Sequence, residues 1–183
     1  MKFKYAGLSS RDIIYSKKEV YMEKIWAPWR SHDIMEAGYK KWDCLFCGLN
    51  SSKDERQNLI ICKNEHSFVV MNLFPYNVGH VMIAPYRHTA AFELLINDEL
   101  KCINMSLQKM IAVLKKVYNP DGFNIGMNLG RAAGAGVAEH LHYHIVPRWT
   151  GDANFMQIVG DTKVISLNVE KEYDKIKKEY DKY

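Results

Sequence analysis

The stretch Glu139-His140-Leu141-His142-Tyr143-His144-Ile145-Val146-Pro147 places three of the chain's seven histidines at alternate positions within five residues. Read as a β-strand, it sends His140, His142 and His144 to one face and Leu141, Tyr143 and Ile145 to the other, because strand side chains alternate with period two. Neighbouring imidazoles on such a face lie about 7 Å apart, near enough to act together on one small anionic group or to hold a metal ion. Pro147 is expected to stop the strand. A neutral imidazole nitrogen is a competent nucleophile toward phosphorus, and histidine changes charge near neutral pH. The central ring, His142, is the expected nucleophile, with His144 as a phosphate contact that stabilises charge developing in line. Attack requires that the other nitrogen of His142 be fixed by a hydrogen bond, usually to a carbonyl.

Immediately upstream, Gly130 to Gly136 contains three glycines and reads as a flexible loop whose backbone N–H groups can approach phosphate oxygens. Further upstream, Leu59 to Cys62 and Ser67 to Asn72 are short runs rich in β-branched and aromatic residues, and His80 to Ala84 returns after the turn text Phe74-Pro75-Tyr76-Asn77-Val78-Gly79. These runs predict an antiparallel meander, to which Phe123 to Asn128 adds a strand. Between them, Leu100, Ile103, Leu107, Met110, Leu114 and Val117 recur every three or four residues, the stripe of an amphipathic helix from Asn97 to Tyr118. Asn97 is its expected N-cap and Asn119-Pro120-Asp121-Gly122 its stop. Glu170 to Tyr183 reads as a charged helix with a seam of Tyr173, Ile176, Tyr180 and Tyr183 that docks on the parent domain.

The chain has 183 residues, 48% of them apolar, enough for one domain with a sizeable core. Its net charge of +4 arises within the first thirty residues, where seven Lys/Arg meet three Asp/Glu. The remainder is neutral, which argues against a nucleic-acid-binding surface. No run of 18 apolar residues or cleavable signal is evident, so no membrane span is expected, and the four cysteines fit a reducing cytoplasm. Residues 1–21 read as a mobile N-terminal extension and 22–183 as a single domain, with Trp26 and Trp29 as packing anchors.

Cys44 and Cys47 form a CxxC pair, for which three readings stand open: a zinc knuckle completed by His88 and His140, two reduced thiols without metal, or a redox pair. The redox reading lacks the strand and helix context of a thioredoxin-like site.

The run His140-Leu141-His142-Tyr143-His144-Ile145-Val146 resembles the signature of the histidine-triad (HIT) superfamily of nucleotidyl hydrolases and transferases. The likeness spans roughly residues 25 to 165. It includes Asn72, the turn Asn77-Val78-Gly79-His80, the text Pro85-Tyr86-Arg87-His88, and Gly122 to Asn128. Trp26-Ala27-Pro28-Trp29-Arg30, Cys44-Leu45-Phe46-Cys47 and Pro147-Arg148-Trp149 through Phe155 most resemble bacterial diadenosine tetraphosphate phosphorylases or hydrolases.

The resemblance implies an α+β fold, an antiparallel sheet with a long helix packed across it and a C-terminal helix, commonly a homodimer. It implies catalytic roles for His140, His142 and His144, with His142 becoming nucleotidylated, and nucleotide binding by Asn72, His80 and Asn128. In zinc-bearing relatives the counterparts of Cys44, Cys47, His88 and His140 hold the metal, and no organic cofactor is implied. Where many members carry Gln and Ser or Thr donors before the triad, this chain has Gly136 and Val137, so phosphate binding is expected to use backbone amides there.

The expected activity is cleavage of a dinucleoside polyphosphate through a nucleotidyl-histidine resolved by water or phosphate. The rivals are a nucleoside phosphoramidate hydrolase and a zinc-stabilised nucleotide-binding module without turnover.

Overall fold

The structure is a computed structural model, described here for residues 42–152 and 168–183. The extension 1–21, the Trp26/Trp29 pair and Ala153 to Phe155 lie outside those residues.

Five strands form one fully antiparallel sheet: β1 (Ile60–Lys63), β2 (Ser67–Met71), β3 (Val81–Pro85), β4 (Gly122–Gly126) and β5 (Tyr143–Arg148), in the order β1-β2-β3-β5-β4. Among the described residues three α-helices accompany them: α1 (Leu45–Ser51), α2 (Asn97–Tyr118) and α3 (Val169–Tyr180). The architecture is the expected α+β one.

Strand alternation gives the sheet two buried faces. Ile61, Val69, Met71, Val81, Ile83 and Ile145 pack with Ile103, Met110, Val113 and Leu114 of α2 and with Tyr173 and Ile176 of α3. The opposite face carries Ile60, Phe68, Val70, Met82 and Ala84 against Phe46 and Leu49 of α1. His144 pairs in register with Met82, so the site lies on the α1 face, supported from behind by the α2 layer.

The periodicity of α2 is realised as expected, except that the N-cap is Ile96. Asn97 is already helical because Glu99 accepts from the Ile96 N–H (2.9 Å) while gripping Arg87, which leaves no capping task for Asn97. Asn119 closes the helix in the left-handed region at φ 45°. In α3, Tyr173 and Ile176 dock as the seam predicts. The helix stops at Tyr180, however, and Tyr183 is exposed.

Gly79 takes φ +74°, and a Cβ there would stand 2.7 Å from the Tyr118 ring and 3.2 Å from Pro147. Gly79→Ala therefore combines a left-handed penalty with overpacking, about 2–3 kcal/mol together. Thermal denaturation is expected to show a Tm drop of about 5–10 °C; an unchanged Tm would mean the turn relaxes freely.

Candidate active site and metal centre

The triad stretch is only partly strand. β5 begins at Tyr143, so His144 alone of the three histidines lies in the sheet, and the strand runs through Pro147 to Arg148. Two constraints keep the earlier residues out. The Leu141 N–H donates to the Thr89 carbonyl (2.7 Å), and the His140 ring is drawn toward the CxxC pair. Pro147 is tolerated because pairing with β3 covers only Tyr143 to Ile145, so no ladder donor is needed from its nitrogen on that side.

Cys44 sits just before α1 and Cys47 in its first turn. His140 Nδ1 lies 3.3 Å from Cys44 Sγ and 3.6 Å from Cys47 Sγ, and His88 Nδ1 lies 3.4 Å from Cys47 Sγ. One ligand atom from each of the four residues falls within 4.8 Å of the others. A tetrahedral zinc with bonds of about 2.3 Å to sulfur and about 2.0 Å to nitrogen separates its ligands by about 3.3–3.8 Å, so this donor set fits the ion. His140 Nε2–H donates to the Pro85 carbonyl (3.0 Å), which leaves the Nδ1 lone pair directed at the thiols, as a ligating imidazole requires. Burial and the neighbouring Cys44 thiol push Cys47 up to about 11. That shift opposes a redox role, which needs a depressed thiol.

The nucleophile candidate is oriented by main chain. His142 Nδ1–H donates to the carbonyl of His140 (2.9 Å), so its lone pair is on Nε2. Burial lowers the His142 pKa and favours the neutral ring that attack requires. Phe46 lies against it, centroids 4.6 Å apart.

Hydrogen positions on the next two rings follow from a fixed donor. The Tyr76 backbone N–H donates to His80 Nδ1 (3.0 Å), which must therefore be an acceptor. The proton of His80 is on Nε2 and is donated to His144 Nδ1 (2.9 Å). His144 then carries its own proton on Nε2. The result is a lone pair on His142 beside an N–H on His144, with the two rings 4.8 Å apart edge to face.

Both histidines line a cavity of about 280 Å³ with Asn72, Asn128, Gly134, Gly136 and Val137; its apolar wall comprises Leu45, Phe46, Phe74, Tyr76 and Met82. None of these described lining residues is Lys or Arg, so an anion here meets neutral donors. A larger groove of about 760 Å³ runs along α2 near Lys101, Lys109 and Tyr180, but it contains none of the triad.

The structure thus gathers Cys44, Cys47, His88 and His140 at one centre and Asn72, Asn128, Gly136, Val137, His142 and His144 around the cavity. His140 presents its ring to the cysteines and its carbonyl to His142. His80 is fully buried behind His144 and is not a cavity-lining residue. Sequence reasoning overlooked the wall residues. Leu45 and Phe46 carried a signal, since residues between two metal-spaced cysteines must lie beside whatever the cysteines hold. Tyr76 and Met82 had none, because their placement depends on tertiary register.

A family model for the HIT domain matches residues 53–151. The chain is 40% identical over 151 residues to the AP-4-A phosphorylase of Mycobacterium tuberculosis, covering 79% of this chain and 77% of that protein. It is 36% identical over 93 residues to a bis(5'-adenosyl)-triphosphatase of Dictyostelium discoideum, covering 51% and 62%. A Zn-bound histidine triad family protein from Mycobacterium smegmatis shares the fold, with TM-score 0.62 and 21% identity over 76% of this chain and 94% of that one. The family match over residues 53–151 and the 40% identity over 151 residues show that the chain belongs to the HIT-domain family.

Proposed function

We propose that this protein cleaves a dinucleoside polyphosphate, with diadenosine tetraphosphate as the favoured substrate. The observation that carries the reading is the His142 ring, tied through Nδ1 to the His140 carbonyl and lining the cavity beside His144. His142 Nε2 attacks the α-phosphorus; the P–O bond to the departing nucleotide breaks, and a nucleotidyl-His142 forms. His144 Nε2–H donates to the phosphate oxygens as charge moves onto the leaving group. Backbone amides at Gly136 and Val137 supply further donors, while the apolar wall from Leu45 to Met82 receives the nucleoside.

Likeness to an AP-4-A phosphorylase favours inorganic phosphate as the group that resolves the intermediate. Cys44, Cys47, His88 and His140 would hold a structural zinc, whose chemistry is to fix the four side chains. The thiols suit a reducing cytoplasm. The exposed edge strand β4, with Ile125 and nearby Leu129 also exposed, supports a homodimer.

Incubation with diadenosine tetraphosphate, with and without phosphate, tests the reading. ADP plus ATP only when phosphate is present is the expected outcome. AMP plus ATP would assign resolution to water, and much faster cleavage of a nucleoside phosphoramidate would replace the substrate class.

A further inference from the structure

The histidine relay depends on a turn, and the turn is tethered to a carboxylate that the site itself does not contain. Asp152, just after β5, is mostly buried and takes both Arg148 Nε (2.6 Å) and Arg148 Nη2 (2.7 Å). The same carboxylate accepts from the Trp149 N–H (3.2 Å) and from Asn77 Nδ2 (2.9 Å). Asn77 Nδ2 also donates to the Pro147 carbonyl (3.1 Å), so both its amide hydrogens are directed at β5 and the loop behind it. The carbonyl of Asn77 in turn accepts from the His80 N–H (3.2 Å). Its neighbour Tyr76 supplies the shorter of two donors to His80 Nδ1, its N–H at 3.0 Å against 3.3 Å for Asn72 Nδ2, and the Tyr76 ring stacks on His80 with centroids 4.6 Å apart.

We propose that Asp152, acting through Asn77, is a positioning residue that fixes the His80 tautomer and thereby keeps the proton of His144 on Nε2. The inference rests on the role of His144 given above. With the tether intact, the turn 76–80 holds the Tyr76 N–H within reach of His80 Nδ1. With it cut, the turn shifts by a fraction of an ångström and the Tyr76 N–H moves off His80 Nδ1, which leaves only the longer contact from Asn72 Nδ2 (3.3 Å) to hold Nδ1 as an acceptor and loosens the control over where the His144 proton lies. Small displacements of this kind reach chemistry because a misplacement of about 1 Å can cost about a hundredfold in rate. Arg148 holds the Asp152 carboxylate by both oxygens, and Arg148 Nη1 extends the brace to Asn124 of β4.

The test uses Asp152→Ala and Asn77→Ala in the full chain. The second removes the tether while leaving the Arg148–Asp152 pair in place, so it serves even where the first fails to fold. Ring ¹⁵N spectra report tautomers directly. In wild type, His80 and His144 are expected as Nε2–H forms and His142 as the Nδ1–H form. In the variants, His80 and His144 move toward tautomer-averaged values while His142 does not. On a substrate the wild type cleaves, kcat is expected to fall about ten- to a hundredfold with KM within about threefold.

Wild-type ring signals in folded Asn77→Ala, or a rise in KM with kcat unchanged, would overturn the proposal. Because the spectra need no substrate, a wild type that turns over nothing yet shows the tautomer change in its variants would remove the proposed function and leave this inference standing.

Discussion

His142→Ala is expected to lower turnover of diadenosine tetraphosphate by about a thousandfold or more while nucleotide binding stays within about tenfold. The asymmetry follows from the division of labour in the cavity. On the proposed reading, ground-state contacts come from the wall residues Leu45, Phe46, Phe74, Tyr76 and Met82 and from Asn72 and Asn128, all of which keep their side chains in the variant, with Phe46 losing only its packing against the His142 ring. What disappears is the lone pair that the geometry sets up for attack, the Nε2 of a ring whose Nδ1–H is committed to the His140 carbonyl. Intact mass spectrometry provides the second readout. The wild type incubated with substrate should show a nucleotidyl adduct, and the variant none. Full activity in His142→Ala would sink the assignment, and so would an adduct that persists, because a neighbouring histidine would then be the nucleophile.

The alternation of His140, His142 and His144 was readable as chemistry before it was readable as structure. Periodicity correctly placed Tyr143, His144 and Ile145 on opposite faces, because that part pairs with β3 and the pleat enforces period two. It failed at His140 and His142. There the decisive contacts are with Cys44, Cys47 and Pro85, between 55 and 96 residues away in sequence, and a local pattern cannot report them. The departure from strand matters to function, since it lets His142 Nδ1 reach back two residues to the His140 carbonyl.

The helices were legible for the opposite reason. The α2 stripe is local, and its burial against the sheet needs only a 3.6-residue repeat. Its cap falls at Ile96, one residue before the expected Asn97, because Glu99 is buried and binds both Arg87 and the Ile96 N–H. Of the site itself, the ligand types and the triad were visible. The aromatic wall was not, because Phe46 and Tyr76 are the kind of residue every core uses.

Removing metal from the Cys44, Cys47, His88 and His140 centre is expected to lower Tm by about 10 °C, corresponding to about 3 kcal/mol or more, and to cut turnover sharply. The stability part follows from the donor set. Without a cation, one buried and one half-buried thiol face two imidazoles with only weak sulfur hydrogen bonds, whereas four ligands on zinc would bridge α1, the segment after β3 and the approach to β5. The activity part follows from His140, which is both a ligand through its ring and the acceptor for His142 through its carbonyl. A second connection runs through α1, where Leu45 and Phe46, held between the two cysteines, form cavity wall and Phe46 lies against His142. Loss of metal should therefore free the nucleophile's orientation and loosen the nucleoside slot together. In kinetic terms, kcat falls and KM rises, unlike the kcat-only effect expected for Asp152. Cys44→Ser and chelator-treated wild type should behave alike, metal analysis should give one zinc per chain in the untreated protein, and added zinc should restore the chelated sample but not the variant. Metal-free protein that keeps its Tm and its turnover would instead make the CxxC a pair of plain thiols, with the His140 carbonyl that orients His142 held in place by the Pro85 and Thr89 contacts.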